Sequence, residues 1–304
     1  FFNLEGNLKM KKKIALVALA AAAVGVQAAE WSDTSISLRH GTNFSEPYDS
    51  NNAITKNIIG LTHASGYTYG TNFFNVDLLL SNEKDPAFKD GKTGAHEVYA
   101  VYRNTVDFEK VTGKSFKTTG VRGLGFTGGF DFNTKTDTGY NSKKEMLVLG
   151  PTVMVDVPAG FLNVSLLQLW ESNAPSGWSY LNSAYYGVER YHYDAHPMLS
   201  ASWAIPFNVA SLPLSFEGFA NYIAPKGKNE FGGDTAAETN IDMQVMYDMS
   251  GAVGSKAKTF KVGVEYQYWK NKFGNPTTAT VVSGSQAGQG ATARTPMVRA
   301  EYHF

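Results

Sequence analysis

Long stretches of this chain alternate apolar and polar residues with a period of two, and the end of the chain shows the pattern most clearly. Phe304, Tyr302 and Ala300 fall on one side of an extended segment, whereas His303 and Glu301 fall on the other. Strands in soluble domains are mostly about 5–6 residues long, but a tilted strand that spans a membrane needs about 9–11. Because the alternating segments here are long, the pattern predicts an all-β chain whose strands cross a bilayer.

The alternation predicts about twelve strands, joined by connectors that are alternately long and short, as in outer-membrane barrels. The predicted strands lie near 31–41, 55–65, 70–81, 94–104, 118–132, 144–157, 161–172, 189–205, 212–224, 238–250, 258–271 and 292–304. The connector 104–117 breaks the rule because it is long where a short turn is expected. Either a short helix lies there or the strand count is off by two.

The last predicted strand continues to the end of the chain. In lipid an open sheet edge leaves backbone groups without hydrogen bonds, so we expect the last strand to pair with the first. The fold class is therefore a transmembrane antiparallel β-barrel of about twelve strands, of outer-membrane type. The even strand count places both termini on the periplasmic side, and we expect a monomer. Phe304 also resembles the C-terminal signature that the barrel-assembly machinery reads.

The start of the chain indicates export. Residues 10–28 contain a basic start, an apolar stretch and a small-residue exit, which is the pattern of a cleaved signal peptide. We interpret residues 1–9 as an upstream extension and residues 29–304 as a single barrel domain. The chain has no cysteine, so no disulfide framework is expected. Its 27 basic and 27 acidic residues argue against a nucleic-acid partner.

If the apolar face of each strand meets lipid, the opposite face lines the lumen. When alternate residues are assigned to the two faces in this way, the lumen carries more carboxylates than basic groups. Such a lumen would disfavour phosphorylated solutes relative to neutral ones. The alternative is that these charges are only the polar coat of a wet lumen. The predicted inner carboxylates are Asp33, Asp77, Glu97, Asp131, Asp156, Asp194, Glu217, Asp242, Asp248, Glu265 and Glu301. The predicted inner basic residues are Arg39, Arg103, Lys144, Lys261 and Arg299.

Aromatic residues on the predicted inner face favour a flat solute, because each ring offers a stacking surface worth about 1–3 kcal/mol per base. Carboxylates and amides beside the rings are able to accept hydrogen bonds from sugar hydroxyls. The alternative is that the rings fill a narrowed lumen or pack under an inserted loop. The predicted substrate-binding residues are Phe73, Asn75, Asp77, Tyr99, Glu217, Phe219, Asn221 and Trp269.

Three other motifs do not support an enzyme or a cofactor site. The segment “GLGFTG” matches a dinucleotide-binding pattern, but an alternating segment follows it instead of a helix. The segment “HYDAH” places His192, Asp194 and His196 on one predicted strand face, yet no further metal ligand is evident. No serine lies in a recognisable pattern with a histidine. We therefore expect no catalytic residue, no metal and no cofactor.

The segments “EWSDTSISLRHG”, “FFNVDLLLSN”, “EVYAVYR” and “VRAEYHF” resemble the Tsx-like nucleoside-specific channel-forming proteins of Gram-negative outer membranes. The resemblance implies a monomeric twelve-stranded barrel with a narrow channel for nucleosides, in contact with the lipid bilayer and lipopolysaccharide. Some members of that family also serve as phage or colicin receptors. Two alternatives remain open: a general or differently selective porin, and a closed barrel that serves as a surface receptor or adhesin.

Overall fold

The computed structural model describes residues 29–47, 53–88, 91–179, 182–278 and 288–304. The proposed upstream extension and signal peptide lie outside these residues. The strands, in chain order, are β1 (Trp31–Phe44), β2 (Ile54–Tyr67), β3 (Gly70–Ser81), β4 (His96–Asp107), β5 (Val121–Lys135), β6 (Glu145–Val155), β7 (Phe161–Asn173), β8 (Ser176–Ser179), β9 (Ala184–Gly187), β10 (Tyr191–His192), β11 (His196–Val209), β12 (Leu212–Ile223), β13 (Glu238–Asp248), β14 (Phe260–Lys270) and β15 (Thr292–His303).

Twelve of these strands are long and form one closed antiparallel barrel, in which each pairs with the long strands before and after it. The ring closes where β1 pairs with β15 and Ser35 lies opposite His303. One residue further, the Phe304 N–H donates to the Thr34 carbonyl oxygen at 2.9 Å. The predicted all-β barrel of about twelve strands is therefore confirmed, and the closing pair is the one that the terminal strand predicts.

The unusual connector 104–117 contains a short helix, α1 (Phe108–Thr112). The Asp107 carboxylate caps it by accepting a hydrogen bond from the Glu109 N–H at 3.0 Å. Gly113 ends it in the left-handed conformation, with φ of 69°. The first of the two sequence-based explanations is thus correct, and the count of twelve long strands is unchanged. Among the described residues, no helix is long and apolar enough to cross a membrane.

The two ends of the barrel differ in their connections. At one end, which we call the short-turn end, the start of β1 and the end of β15 lie beside the connections 68–69, 108–120, 156–160, 210–211 and 249–259. At the other end, the long-loop end, the connections are 45–53, 82–95, 136–144, 174–195, 224–237 and 271–291. The small strands β8 and β9 form a hairpin within one of these long loops.

Side chains alternate across the barrel wall as the period of two requires. Large apolar residues such as Leu38, Leu166 and Val264 point outward and are exposed, with Val264 retaining 62% of its accessible surface. Their partners on neighbouring strands share the same face: Val264, for example, lies opposite both Val245 and Val298. In water this apolar outer wall would be unfavourable, whereas hydrocarbon accommodates it.

The predicted strand 189–205 is interrupted in the structure. Residues 191–192 pair with β7 as β10, residues 193–195 leave the strand, and β11 resumes pairing at His196. The Tyr193 hydroxyl donates to Glu230 at 2.6 Å in the long-loop region. In an unbroken strand Tyr193 would face outward with Pro197 and Leu199, but the three irregular residues shift the alternation before them, so the Tyr193 side chain lies in the long-loop region instead.

Candidate solute pathway inside the barrel

The strand register places all eight predicted substrate-binding residues on the inner face. Asp77 lies opposite Tyr99, and Glu217 lies opposite Gln244. The residues of β3 and β12 line opposite walls, because these strands are half-way round the barrel from each other. The eight residues therefore do not form one compact site but are spread around the lumen, with Trp269 and Asn221 both near the long-loop end.

Two of the four predicted rings are accessible from the lumen. Phe73 lies on β3 near the short-turn end, opposite Arg103 on β4, and retains 41% of its accessible surface. Phe219 is half-buried on the opposite wall, between Ser202 on β11 and Asp242 on β13. Each ring thus has polar groups beside it and free surface above it.

The other two rings are engaged by the wall. The Tyr99 hydroxyl donates to Asp131 at 3.0 Å. The Trp269 indole N–H donates to Glu238 at 2.6 Å, and its ring packs edge-to-face on Phe273 with a centroid distance of 4.9 Å. These contacts match the alternative in which rings fill a narrowed lumen.

The predicted polar groups also have partners. Asn75 accepts a hydrogen bond from Thr62 at 2.8 Å. Glu217 accepts from Lys261 and Gln244, both at 3.1 Å. By contrast, Asn221 Oδ1 is buried without a hydrogen-bond partner. A solute hydroxyl must therefore compete with existing hydrogen bonds at most of these groups.

An arginine network crosses the inner wall from β3 to β14. Arg39 pairs with Asp77, and its guanidinium lies 3.5 Å from Glu265. Glu265 also pairs with Arg299 at 2.7 Å. Gly60 lies on the strand between Arg39 and Asp77, and a Cβ there would come within 2.9 Å of the Asp77 carboxylate. The missing side chain therefore makes room for Arg39 to reach across β2.

The long-loop end holds a buried ion-pair cluster that the sequence analysis did not anticipate. We call it the loop cluster: Glu46, Lys56, Asp85, Lys135 and Lys272. The Glu46 carboxylate accepts contacts from Lys56 at 2.7 Å and Lys272 at 3.1 Å. Burial raises the pKa of Glu46, but the ammonium groups of Lys135, Lys272 and Lys56 outweigh it and hold this pKa well below its usual range. The loop cluster thus ties three long loops to the barrel wall.

Beside the loop cluster lies a second group of ions and aromatic rings. The Lys226 ammonium contacts Glu171 at 2.6 Å and lies 4.1 Å from the centroid of the Tyr193 ring. Lys144 contacts the same carboxylate at 3.4 Å. Around them is a cavity of about 50 Å³ that Phe273 also lines. By the volume of water, such a cavity admits only about one or two molecules.

Part of the inner wall is apolar, which parity alone did not reveal. Residues of β6, β7 and β11 pack into a dry cluster that Ile223 also contacts: Met146, Val148, Leu167, Leu169 and Met198. Their positions on the inner face follow from the register, in which Val148 lies opposite Leu169 and Leu167 lies opposite Met198. At these residues the inner wall is therefore buried and apolar.

Two of the predicted inner carboxylates lie outside the strands. Asp156 follows β6 and pairs with Lys117 at the short-turn end. Asp194 lies in the interruption before β11 and is exposed, so His192, Asp194 and His196 do not share a strand face. The His196 ring instead lies with Nδ1 2.8 Å from the Asp194 carbonyl oxygen. The metal-site alternative for this segment therefore has no geometric basis.

Comparison with known proteins found solved structures of similar fold. No family model matches the chain, and no curated protein matches it. Among solved structures, it is similar to the KdgM porin at 10% identity, with a TM-score of 0.40, over 89% of this chain and 99% of that one. It is similar to the NanC porin at 8% identity, with a TM-score of 0.41, over 88% and 98%. It is also similar to the translocator domain of the autotransporter NalP from Neisseria meningitidis at 12% identity, with a TM-score of 0.42, over 98% of both chains.

Proposed function

We propose that this protein is a passive channel of the Gram-negative outer membrane that prefers nucleosides or similar small flat solutes. The observation that carries the proposal is a closed barrel, apolar outside, whose lumen presents the partly exposed rings of Phe73 and Phe219 on opposite walls. The termini and the short-turn end face the periplasm in this proposal. Phe304, exposed beyond β15, is available to the assembly machinery.

The lumen suits weak, repeated contacts with an uncharged solute. A base stacks on Phe73 or Phe219, and its sugar exchanges hydrogen bonds with neighbouring groups such as Asn221 and Glu217. Since most of the charged groups pair with each other across strands, a neutral solute meets no strong unpaired charge. Weak binding at several places is what conduction requires, because a tightly held solute does not leave. No chemical step takes part.

The test is solute block of ion current through single channels in a planar bilayer. Adenosine should reduce the current and glucose should not. Phe73→Ala and Phe219→Ala should each raise the adenosine concentration for half-block by about 5-fold or more, the factor expected from losing about 1 kcal/mol of stacking. The matched control is Phe132→Ala, which removes an exposed ring from the outer face. Phe304 is not used as a control because the proposed assembly machinery would contact it.

Equal block by adenosine and glucose would replace the nucleoside channel with a general porin. If both inner-face variants behave like Phe132→Ala, the two rings have no part in recognition.

The loop cluster favours a second candidate, a closed barrel that acts as a surface receptor or adhesin. The Lys56 and Asp85 side chains each retain only 1% of their accessible surface, so the long-loop end is sealed around them. In that case the wild-type protein passes no measurable current in the same bilayer. Binding partners would then contact only the outer parts of the long loops.

A further inference from the structure

The start of the β14–β15 loop folds into the lumen in an unusual backbone conformation. Asn271 and Phe273 have positive φ angles of 52° and 59°, and Gly274 follows at 78°. For a bulky residue such as Phe273 this conformation costs on the order of 1–3 kcal/mol, so surrounding contacts must impose it. Those contacts are hydrogen bonds from Asn271 Nδ2 to the Ala237 carbonyl oxygen at 2.7 Å and from the Ala236 N–H to the Gly274 carbonyl oxygen at 2.9 Å.

The strained turn places the Phe273 ring between a tryptophan and two ammonium groups. Its centroid lies 4.9 Å from that of Trp269, and the ammonium groups of Lys144 and Lys272 each lie 5.1 Å from it. Lys272 also lies 4.9 Å from the Trp269 ring. An aromatic ring gains both stacking and cation–π attraction in such a place. These surroundings would favour the ring of a solute in the same way.

Polar groups and free space lie next to this ring. The cavity of about 50 Å³ is bordered by Phe273, Asn133, Asn173 and the buried Lys144 and Glu171. Removing the Phe273 side chain would join its own volume to this cavity. The enlarged space would then have an aromatic wall on one side and amide, ammonium and carboxylate groups on the other.

The charges around the ring are already neutralised. Lys144 contacts Glu171 at 3.4 Å, and Lys272 contacts Glu46 at 3.1 Å. An anionic solute would have to displace these carboxylates, whereas an uncharged ring with polar edges leaves them in place. The chemistry therefore fits a flat neutral heteroaromatic compound better than a phosphate or a sugar acid.

From these observations we infer that Phe273 occupies the ring position of a solute-binding site at the long-loop end of the lumen. The site consists of Trp269, Lys144 and Lys272, and a flat, uncharged heteroaromatic solute binds there when the Phe273 turn moves out. This inference rests on the proposed channel function and deepens it. Phe273 is a specificity-determining residue that excludes solutes unable to replace its ring contacts.

Two variants of Phe273 test the inference through the adenosine concentration for half-block of the current. Phe273→Gly removes the ring and suits the positive φ, whereas Phe273→Asn removes the ring and keeps a residue that tolerates this conformation. Both should lower the half-block concentration by about 5-fold or more, because the competing ring no longer reduces the fraction of binding-competent protein. Adding Trp269→Ala to Phe273→Gly should reverse the gain. The matched control is Phe88→Gly, which removes an exposed ring from another long loop and does not border the cavity.

The outcomes separate this inference from the proposed function. If adenosine blocks the wild type and both Phe273 variants equally, the inference is overturned and the channel proposal stands. A change in Phe273→Gly without one in Phe273→Asn also overturns it, since loop flexibility and not ring occupancy would be responsible. If the wild type passes no current but Phe273→Gly passes a current that adenosine blocks, the inference is supported and the proposal of an open channel fails. Equal block of the variants by glucose overturns the ligand class.

Discussion

The long-loop end and the short-turn end of the lumen use the same kind of interaction, the ion pair, in different surroundings. At the long-loop end, Glu46 and Lys272 come from loops, and Lys56 is buried to 1% exposure. Nearer the short-turn end, Lys261 and Glu217 pair between strands, and Glu217 retains 20% of its side-chain surface. The ion pairs of the loop cluster hold long connections against the barrel wall. The pair of Lys261 and Glu217 instead joins strands that backbone hydrogen bonds already hold in place.

This difference teaches where charge is structural and where it bears on permeation. A buried ion without its partner is destabilising because the remaining charge stays desolvated. A partly hydrated ion loses little when its partner is removed, because water replaces the partner. Neutralising a residue of the loop cluster should therefore change the structure, and neutralising a residue near the short-turn end should change the selectivity.

The largest effect is expected for Glu46→Gln. This change leaves the ammonium groups of Lys56, Lys135 and Lys272 with one fewer carboxylate among them. We expect a loss of about 3 kcal/mol in the free energy of unfolding, within the range for breaking a buried pair. The long-loop end should also open, so that single-channel current in a planar bilayer rises above that of the wild type.

The control for Glu46→Gln is Asp234→Asn, which breaks an ion pair with Lys228 at 2.6 Å on the exposed surface of the same end. Urea unfolding in detergent micelles should show almost no change for this control. Equal midpoints for the two variants would mean that the loop cluster contributes no more than a surface pair, and the contrast between the two ends would disappear.

Much of the fold was predictable because lipid and water impose a period of two on every strand. The alternation identified all twelve long strands, and the parity of Phe73, Glu217 and Trp269 agrees with the register. It did not settle connector 104–117, where the cap formed by Asp107 and Gly113 decides in favour of a helix. Parity failed where the strand was irregular, as at Tyr193.

The loop cluster was not predictable in the same way. Lys135 lies three residues beyond the predicted end of its strand, and Lys272 lies in a loop with no period at all. The Lys272 ammonium donates to the Ser45 carbonyl oxygen, 227 residues away in the chain, at 2.9 Å. The alternation also predicts which side of the barrel wall a residue faces, but not whether its side chain is available to a solute. Tyr99 and Trp269 face the lumen, yet both donate hydrogen bonds to neighbouring carboxylates.

A smaller effect is expected for Lys261→Met, near the short-turn end. Glu217 also accepts hydrogen bonds from Ser215 at 2.6 Å and Gln244 at 3.1 Å, so it keeps partners when Lys261 is removed, and the loss of stability should be about 1 kcal/mol. Removing Lys261 leaves Glu217 without its cation, and the lumen should become more selective for cations. The reversal potential in a KCl gradient measures this change, and Glu217→Gln should shift it in the opposite direction. A large fall in stability with no shift in potential would assign Lys261 to structure and reverse the contrast.

The last expected effect is confined to acid and is absent at neutral pH. Burial raises the pKa of Asp85, but Lys135 and Lys56 outweigh it and lower this pKa from 3.8 to about 2. Because the pKa is lower in the folded protein, Asp85 stabilises the loop cluster above about pH 4 and loses this contribution as the pH falls from about 4 to about 2. The barrel should therefore pass more current over this interval, and Asp85→Asn should weaken the step because the charge is already absent.

The short-turn pair of Lys261 and Glu217 is not part of the loop cluster, so Lys261→Met should leave the acid step in place. An acid step of the same size in Asp85→Asn and in the wild type would show that protonation elsewhere loosens the long-loop end.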